Sequence, residues 1–251
     1  FYMQPKYQKL DFPLFLINNL RKTIKNSKIR ELLKKQPENF EEKQKMGENE
    51  SKICEIIRKD SIEEFIEYRE QTNLTLDSKI ERSIFETNSI LMKNDPTIIE
   101  YAAFFGSIKI IKYLQENNVE LTPSLWIYSI HSNNSDLIQF LEENQIEPED
   151  KNYEKCVKEA IKCHHNEIAS YIKEKFIPKD GKVNEGEEPT ISFEMIQKLY
   201  SYAIRYYNYS LFETKYKNKL NFIYFCMYDY FYIVSDTLKN NQINVTASFI
   251  I

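Results

Sequence analysis

Glycine is scarce, with four in 251 residues, at positions 47, 106, 181 and 186. No GxGxxG or GxxxxGK[ST] run can be built from them, so a glycine-cradled phosphate site is excluded. Eight prolines leave little material for a many-turned β-sandwich. The four cysteines, Cys54, Cys156, Cys163 and Cys226, form no CxxC pair, so no disulfide framework is implied and a reducing compartment is expected. There is no apolar run long enough to span a bilayer: the stretch around Phe12–Ile17 is short, and the aromatic stretch 222–234 is broken by Asp229. No secretory leader is recognisable. The chain opens at Phe1 and stops in an apolar tail, so it is expected to be a piece of something longer.

What is present suits a soluble, helix-rich unit: 42% hydrophobic, 14% aromatic and 29% charged, with a net charge of −4. That charge argues against a general nucleic-acid binder. Its distribution is uneven. Residues 1–35 hold nine Lys/Arg against two acids, a balance of +7, and residues 36–100 hold nine against sixteen, a balance of −7.

Self-similarity is the strongest signal. Pro96-Thr-Ile-Ile-Glu-Tyr-Ala-Ala-Phe-Phe-Gly-Ser-Ile-Lys-Ile-Ile-Lys-Tyr-Leu-Gln-Glu-Asn is echoed without a gap 27 residues on, from Pro123, and a third copy follows at a step of 31. Ala102-Ala103 thereby falls on Ser129-Ile130 and on Ala160-Ile161. A period near thirty marks stacked supersecondary units. Within each unit the apolar spacing predicts a short helix, a tight turn at Gly106, Asn133 or His164, and a second helix. Weaker pairs are expected at 53–68, 195–217 and 222–241. The segment 70–95 should be an elongated finger or an inserted helix. Residues 36–50 and the charged insertion 178–190 lack apolar periodicity and are expected to be exposed.

The residues from Thr97 to Asn117 resemble the ankyrin repeat, whose pattern runs Thr-Pro-Leu-His-x-Ala-Ala-x-x-Gly-His and then a Val-Val-x-x-Leu-Leu helix. Ile98 stands for the helix-starting Pro, and Glu100 for the turn-bonding His. More closely, the run 89–172 looks like the divergent domain-of-unknown-function ankyrin class expanded in some protists. The resemblance implies an all-α, ankyrin-like helical-repeat solenoid over 51–251, with its clearest repeats at 96–177. Its fingers would be shortened, and a basic helical cap and linker would occupy 1–50. It implies no reaction.

Among candidate sites, Cys156, Cys163, His164 and His165 carry metal-ligand residue types. Cys156 and Cys163 lie two turns apart on one helix, about 10 Å of rise, too far for one tetrahedral ion, so no metal and no cofactor is expected. Paired acids such as Glu63-Glu64 and Glu142-Glu143 face apart on a helix and read as surface charge. No constellation supports an enzyme or a small-molecule substrate. The resemblance directs attention instead to outward positions of the first helices, where the family binds partners. These are Tyr101, Phe104 and Phe105, then Ile127, Tyr128, His131 and Ser132, then Glu159, Lys162 and Cys163.

The leading expectation is a non-enzymatic, cytoplasmic scaffold that binds other proteins through this ridge. The alternative is a building block of a large cytoskeletal (microtubule or axonemal) or ribonucleoprotein assembly. Such a block would dock on an acidic polymer through the basic first 35 residues, with Arg21, Lys22 and Lys25 in contact.

Overall fold

The computed structural model describes residues 39–177, 192–208, 210 and 219–239. Thirteen helices are seen there and no strand, only an isolated antiparallel bridge between Lys79 and Thr97. None of the described helices is long and apolar enough to cross a membrane. The insertion 178–190 and the basic residues 1–35 lie outside the described residues.

The chain divides into two compact units, Phe1–Glu120 and Leu121–Ile251. In the first unit, α1 (Phe40–Met46) precedes the pair α2 (Lys52–Arg58) and α3 (Ile62–Thr72). After the short α4 (Ser89–Asn94) comes the pair α5 (Ile98–Phe105) and α6 (Ile108–Glu116). First helix packs on first, α2 against α5, and second on second, α3 against α6. The second unit holds α7 (Leu125–Ser132) with α8 (Ser135–Glu143), and α9 (Glu154–Lys162) with α10 (Asn166–Phe176). It continues with α11 (Phe193–Arg205), α12 (Lys219–Met227) and α13 (Phe231–Lys239). There α9 packs on both α7 and α11.

Helices α2, α3 and α5 through α10 form where expected, for local reasons. Thr97 and Glu100 make a reciprocal capping box at the start of α5: the Glu100 N–H donates to Thr97 Oγ1, and the Thr97 N–H donates to Glu100 Oε2 at 2.8 Å. Glu100, read as a stand-in for a family histidine, therefore caps its own helix. Each first helix ends in one left-handed residue: Asp60, Gly106, Asn133, His164, Tyr207 and Asp229, with φ between 49° and 73°. Glycine takes this conformation freely and Asn or Asp at modest cost, which is how a short helix stops and turns within three residues.

The side chain following that turn then reaches back to an isoleucine carbonyl of the preceding first helix. Ser107 donates to Ile57 O at 2.5 Å, His165 Nδ1 to Ile130 O at 2.7 Å, Asn208 to Ile161 O at 2.9 Å, and the Tyr230 hydroxyl to Ile204 O at 2.7 Å. Each of these carbonyls also accepts the N–H of the left-handed residue that ends its own helix (Asp60, Asn133, His164 and Tyr207), so the side chain adds a second bond and ties one pair to the next. Of the pair expected at 195–217, residues 209 and 211–217 lie outside the described residues.

Beneath the turns lies an aliphatic core. Ile56, Ile57, Phe65, Ile98, Ala102, Ile110, Ile111 and Leu114 are buried in the first unit, and Leu125, Trp126, Ile130, Leu137, Leu141, Ala160, Ile161 and Ile172 in the second. The connectors differ. Residues 73–97 carry both a loop and α4, so the segment read as finger or inserted helix is partly each. Residues 144–153 are short and pinned by aromatics: Trp126 Nε1 donates to Ile146 O at 2.6 Å, and Tyr153 stacks on Phe176 at 4.2 Å.

The expectation that 36–50 is exposed needs correction over its second part. Phe40 is buried edge-on against Phe85 at 5.1 Å, Gly47 ends α1 with φ 66°, and buried Asn49 donates to Glu81 O at 2.7 Å. One aromatic anchor and one amide hold a segment whose charge hid it.

Candidate functional site

In the first unit the outward ridge is partly inward. Tyr101 is buried at 1% exposure, because Arg58 covers it from the end of α2. The guanidinium donates to the Tyr101 hydroxyl at 2.8 Å and to Asn49 O at 2.8 Å, pairs with Glu48 at 2.9 Å, and sits 5.8 Å from the Phe105 ring centroid. Burial pushes the Tyr101 phenol well above its ordinary range, so it remains a neutral hydroxyl. Phe104 and Phe105 are half-buried and pack edge to face at 5.0 Å. Tyr101 therefore leaves the set of surface candidates, and Phe104 remains in it.

Beside this ridge a cavity of about 130 Å³ is lined by Asn49, Ile80, Glu81, Ser83, Glu86 and Tyr101, among others. Glu86 is buried. Its Oε1 accepts from the Asn88 N–H at 2.8 Å, while Oε2 has no hydrogen-bond partner. Burial raises the Glu86 carboxyl, and the backbone donors only partly offset this.

In the second unit Tyr128 is buried at 4% exposure, and it too leaves the surface set. The other predicted residues converge. His131, in the last turn of α7, meets Glu159 of α9, its Nε2 donating to Glu159 Oε1 at 2.9 Å. Cys163, one turn beyond Glu159, brings Sγ to 3.5 Å from His131 Nδ1 and 3.8 Å from Nε2. Exposed Lys162 approaches the same carboxylate oxygen at 2.6 Å. One donor atom from each of His131, Glu159 and Cys163 lies within 4.8 Å of the others.

The electrostatics follow from this crowding. Burial alone would raise the Glu159 carboxyl, but hydrogen bonds from His131 and Lys162 together with their charges hold it down at about 2. Burial, with the Glu159 charge adding, pushes the Cys163 thiol up to about 11. An activated cysteine nucleophile needs the opposite shift.

The four residues weighed for metal by sequence spacing do not assemble. Cys156 is fully buried, His164 Nε2 meets Tyr206 O at 3.0 Å, and His165 is occupied by Ile130 O. Sequence neighbours of Cys163 were the wrong place to look. The missed partner, His131, stands 32 residues earlier, one repeat step plus one residue, a relation readable from the 31-residue step once successive first helices are known to pack together. Arg21, Lys22 and Lys25 lie outside the described residues. No family model, curated protein or solved structure matches the chain.

Proposed function

We propose that this chain is an ankyrin-like helical-repeat protein, without enzymatic activity, that binds other proteins through exposed and half-buried side chains on its first helices. The observation that carries the reading is the recurring junction: one left-handed turn residue, then a side chain bonded to an isoleucine carbonyl of the preceding pair, at Ser107, His165, Asn208 and Tyr230. Such modular packing leaves the outward side chains of each first helix free to vary without disturbing the core. A pre-ordered surface also binds at low entropic cost.

Phe104 in the first unit and Lys162 in the second are the contact residues favoured by exposure and chemistry. The test is crosslinking and co-purification of the full chain from native extract. Phe104→Ala or Lys162→Glu should cut recovery of crosslinked partners at least about tenfold, a coupling of roughly 1.4 kcal/mol, with the circular dichroism spectrum unchanged. Undiminished recovery in both variants removes these surfaces. Recovery that instead collapses steeply as salt is raised favours docking of the basic residues 1–35 on an acidic polymer.

A further inference from the structure

We propose that His131, Glu159 and Cys163 form a binding site for a divalent transition-metal ion of the zinc class, with a water in the fourth position. The proposal stands apart from the scaffold reading, because it needs only the α7–α9 junction.

Three observations carry it. First, the donor set is chemically selective: a thiolate and an imidazole suit zinc, and the carboxylate completes a common mixed set, whereas magnesium and calcium take oxygen ligands. Second, the donors come from two packed helices in a workable arrangement. Glu159 and Cys163 are four residues apart and share one face at the end of α9, while His131 faces them from the last turn of α7. Tetrahedral zinc with ligands at about 2.0–2.3 Å needs donors about 3.3–3.6 Å apart. Nε2 of His131 lies 2.9 Å from Glu159 Oε1 and 3.8 Å from Cys163 Sγ, so small side-chain rotations admit the ion between them. Third, charge balances. A dication held by one thiolate and one carboxylate is neutral overall, which a half-buried site tolerates.

On binding, the metal takes the place of the Nε2 proton, which moves to Nδ1, and the Cys163 thiol proton leaves to solvent. One proton is thus released per ion. Lys162, now 2.6 Å from Glu159, is on the exposed rim and swings into water.

The probes are cobalt(II) and zinc alone, titrated into the reduced, metal-free full chain. Cobalt should bind one per chain with a sulfur-to-cobalt charge-transfer band, and zinc should displace it. Cys163→Ser should abolish the band and weaken zinc at least about tenfold, and His131→Gln or Glu159→Gln should weaken zinc comparably. Lys162→Ala, which removes a competing cation, should tighten it. Cys226→Ser, at an exposed thiol elsewhere, should change nothing. A band that survives Cys163→Ser, a band lost with Cys226→Ser, or no band in the unaltered protein each overturns the site and leaves a plain His131–Glu159 hydrogen bond. Should Cys163→Ser fail to fold, alkylation of the unaltered chain decides: zinc must slow modification of Cys163, and an unchanged rate refutes the proposal.

Discussion

The two units place different chemistry in one geometric slot. In the first, Arg58 stands two residues before the left-handed Asp60 and reaches Tyr101 and Phe105, which stand five and one before the left-handed Gly106. In the second, His131 stands two before Asn133 and reaches Glu159 and Cys163, five and one before His164. The same three positions therefore meet across adjacent first helices in both. One set is a long cation laid over the Phe105 ring and bonded to the Tyr101 hydroxyl, which seals the junction. The other is three small donor groups around a shared point. The contact is set by the backbone; its chemistry is set by residues that the core does not constrain.

The largest effect expected on this comparison is at the aromatic pin of the second unit. Trp126→Ala removes a fully buried ring and the bond to Ile146 O and should cost about 3–5 kcal/mol, read by urea denaturation. A loss under about 1 kcal/mol would mean that connector 144–153 is not held by Trp126.

Next comes the slot itself. Arg58→Ala should cost about 2–3 kcal/mol, since hydrogen bonds to a charged, nearly buried group are the strong ones, whereas His131→Ala in metal-free protein should cost about 1 kcal/mol. Equal losses would erase the distinction between a sealing and a ligand-donating junction. Ser107→Ala should cost about 1 kcal/mol, the net worth of one hydrogen bond, since Ile57 O keeps the Asp60 N–H at 2.9 Å, and no measurable loss would show that the recurring bond follows from packing without contributing to it.

The smallest effect is one of pH. Glu86 has its folded-state pKa raised above the ordinary 4.5 by burial. The native state there binds more protons than the unfolded state, and stability falls as pH rises from that value through the folded-state pKa. Glu86→Gln should therefore match the unaltered protein near about pH 4 and exceed it by up to about 1 kcal/mol near neutrality. A variant less stable at neutral pH would mean that the charged carboxylate is satisfied.

Much of the helix pairing was legible. The step of 27 and then 31 residues located α5 through α10, because buried Ile, Leu and Ala recur wherever helices must approach closely. The flanking pairs were visible with poorer spacing, since Asp60, Tyr207 and Asp229 occupy the left-handed turn positions without the glycine that advertises a turn. Helix α1 was not legible: a run of Glu, Lys and Gln looks solvated until Phe40 finds Phe85, 45 residues away. The ridge divides by exposure, with Tyr101 and Tyr128 buried, Phe104 half-buried and Lys162 exposed. Periodicity turned Tyr101 and Tyr128 outward, but it reads one helix at a time, and Tyr101 is covered by Arg58 from another helix.

From composition and periodicity alone came an all-helical chain built of short pairs, because local spacing of apolar residues decides which faces can be buried. Which side chain from one pair meets which from the next was decided only by tertiary packing. His131 and Cys163 are 32 residues apart, and the distance between them depends on how two helices lie together, a quantity absent from either helix read by itself.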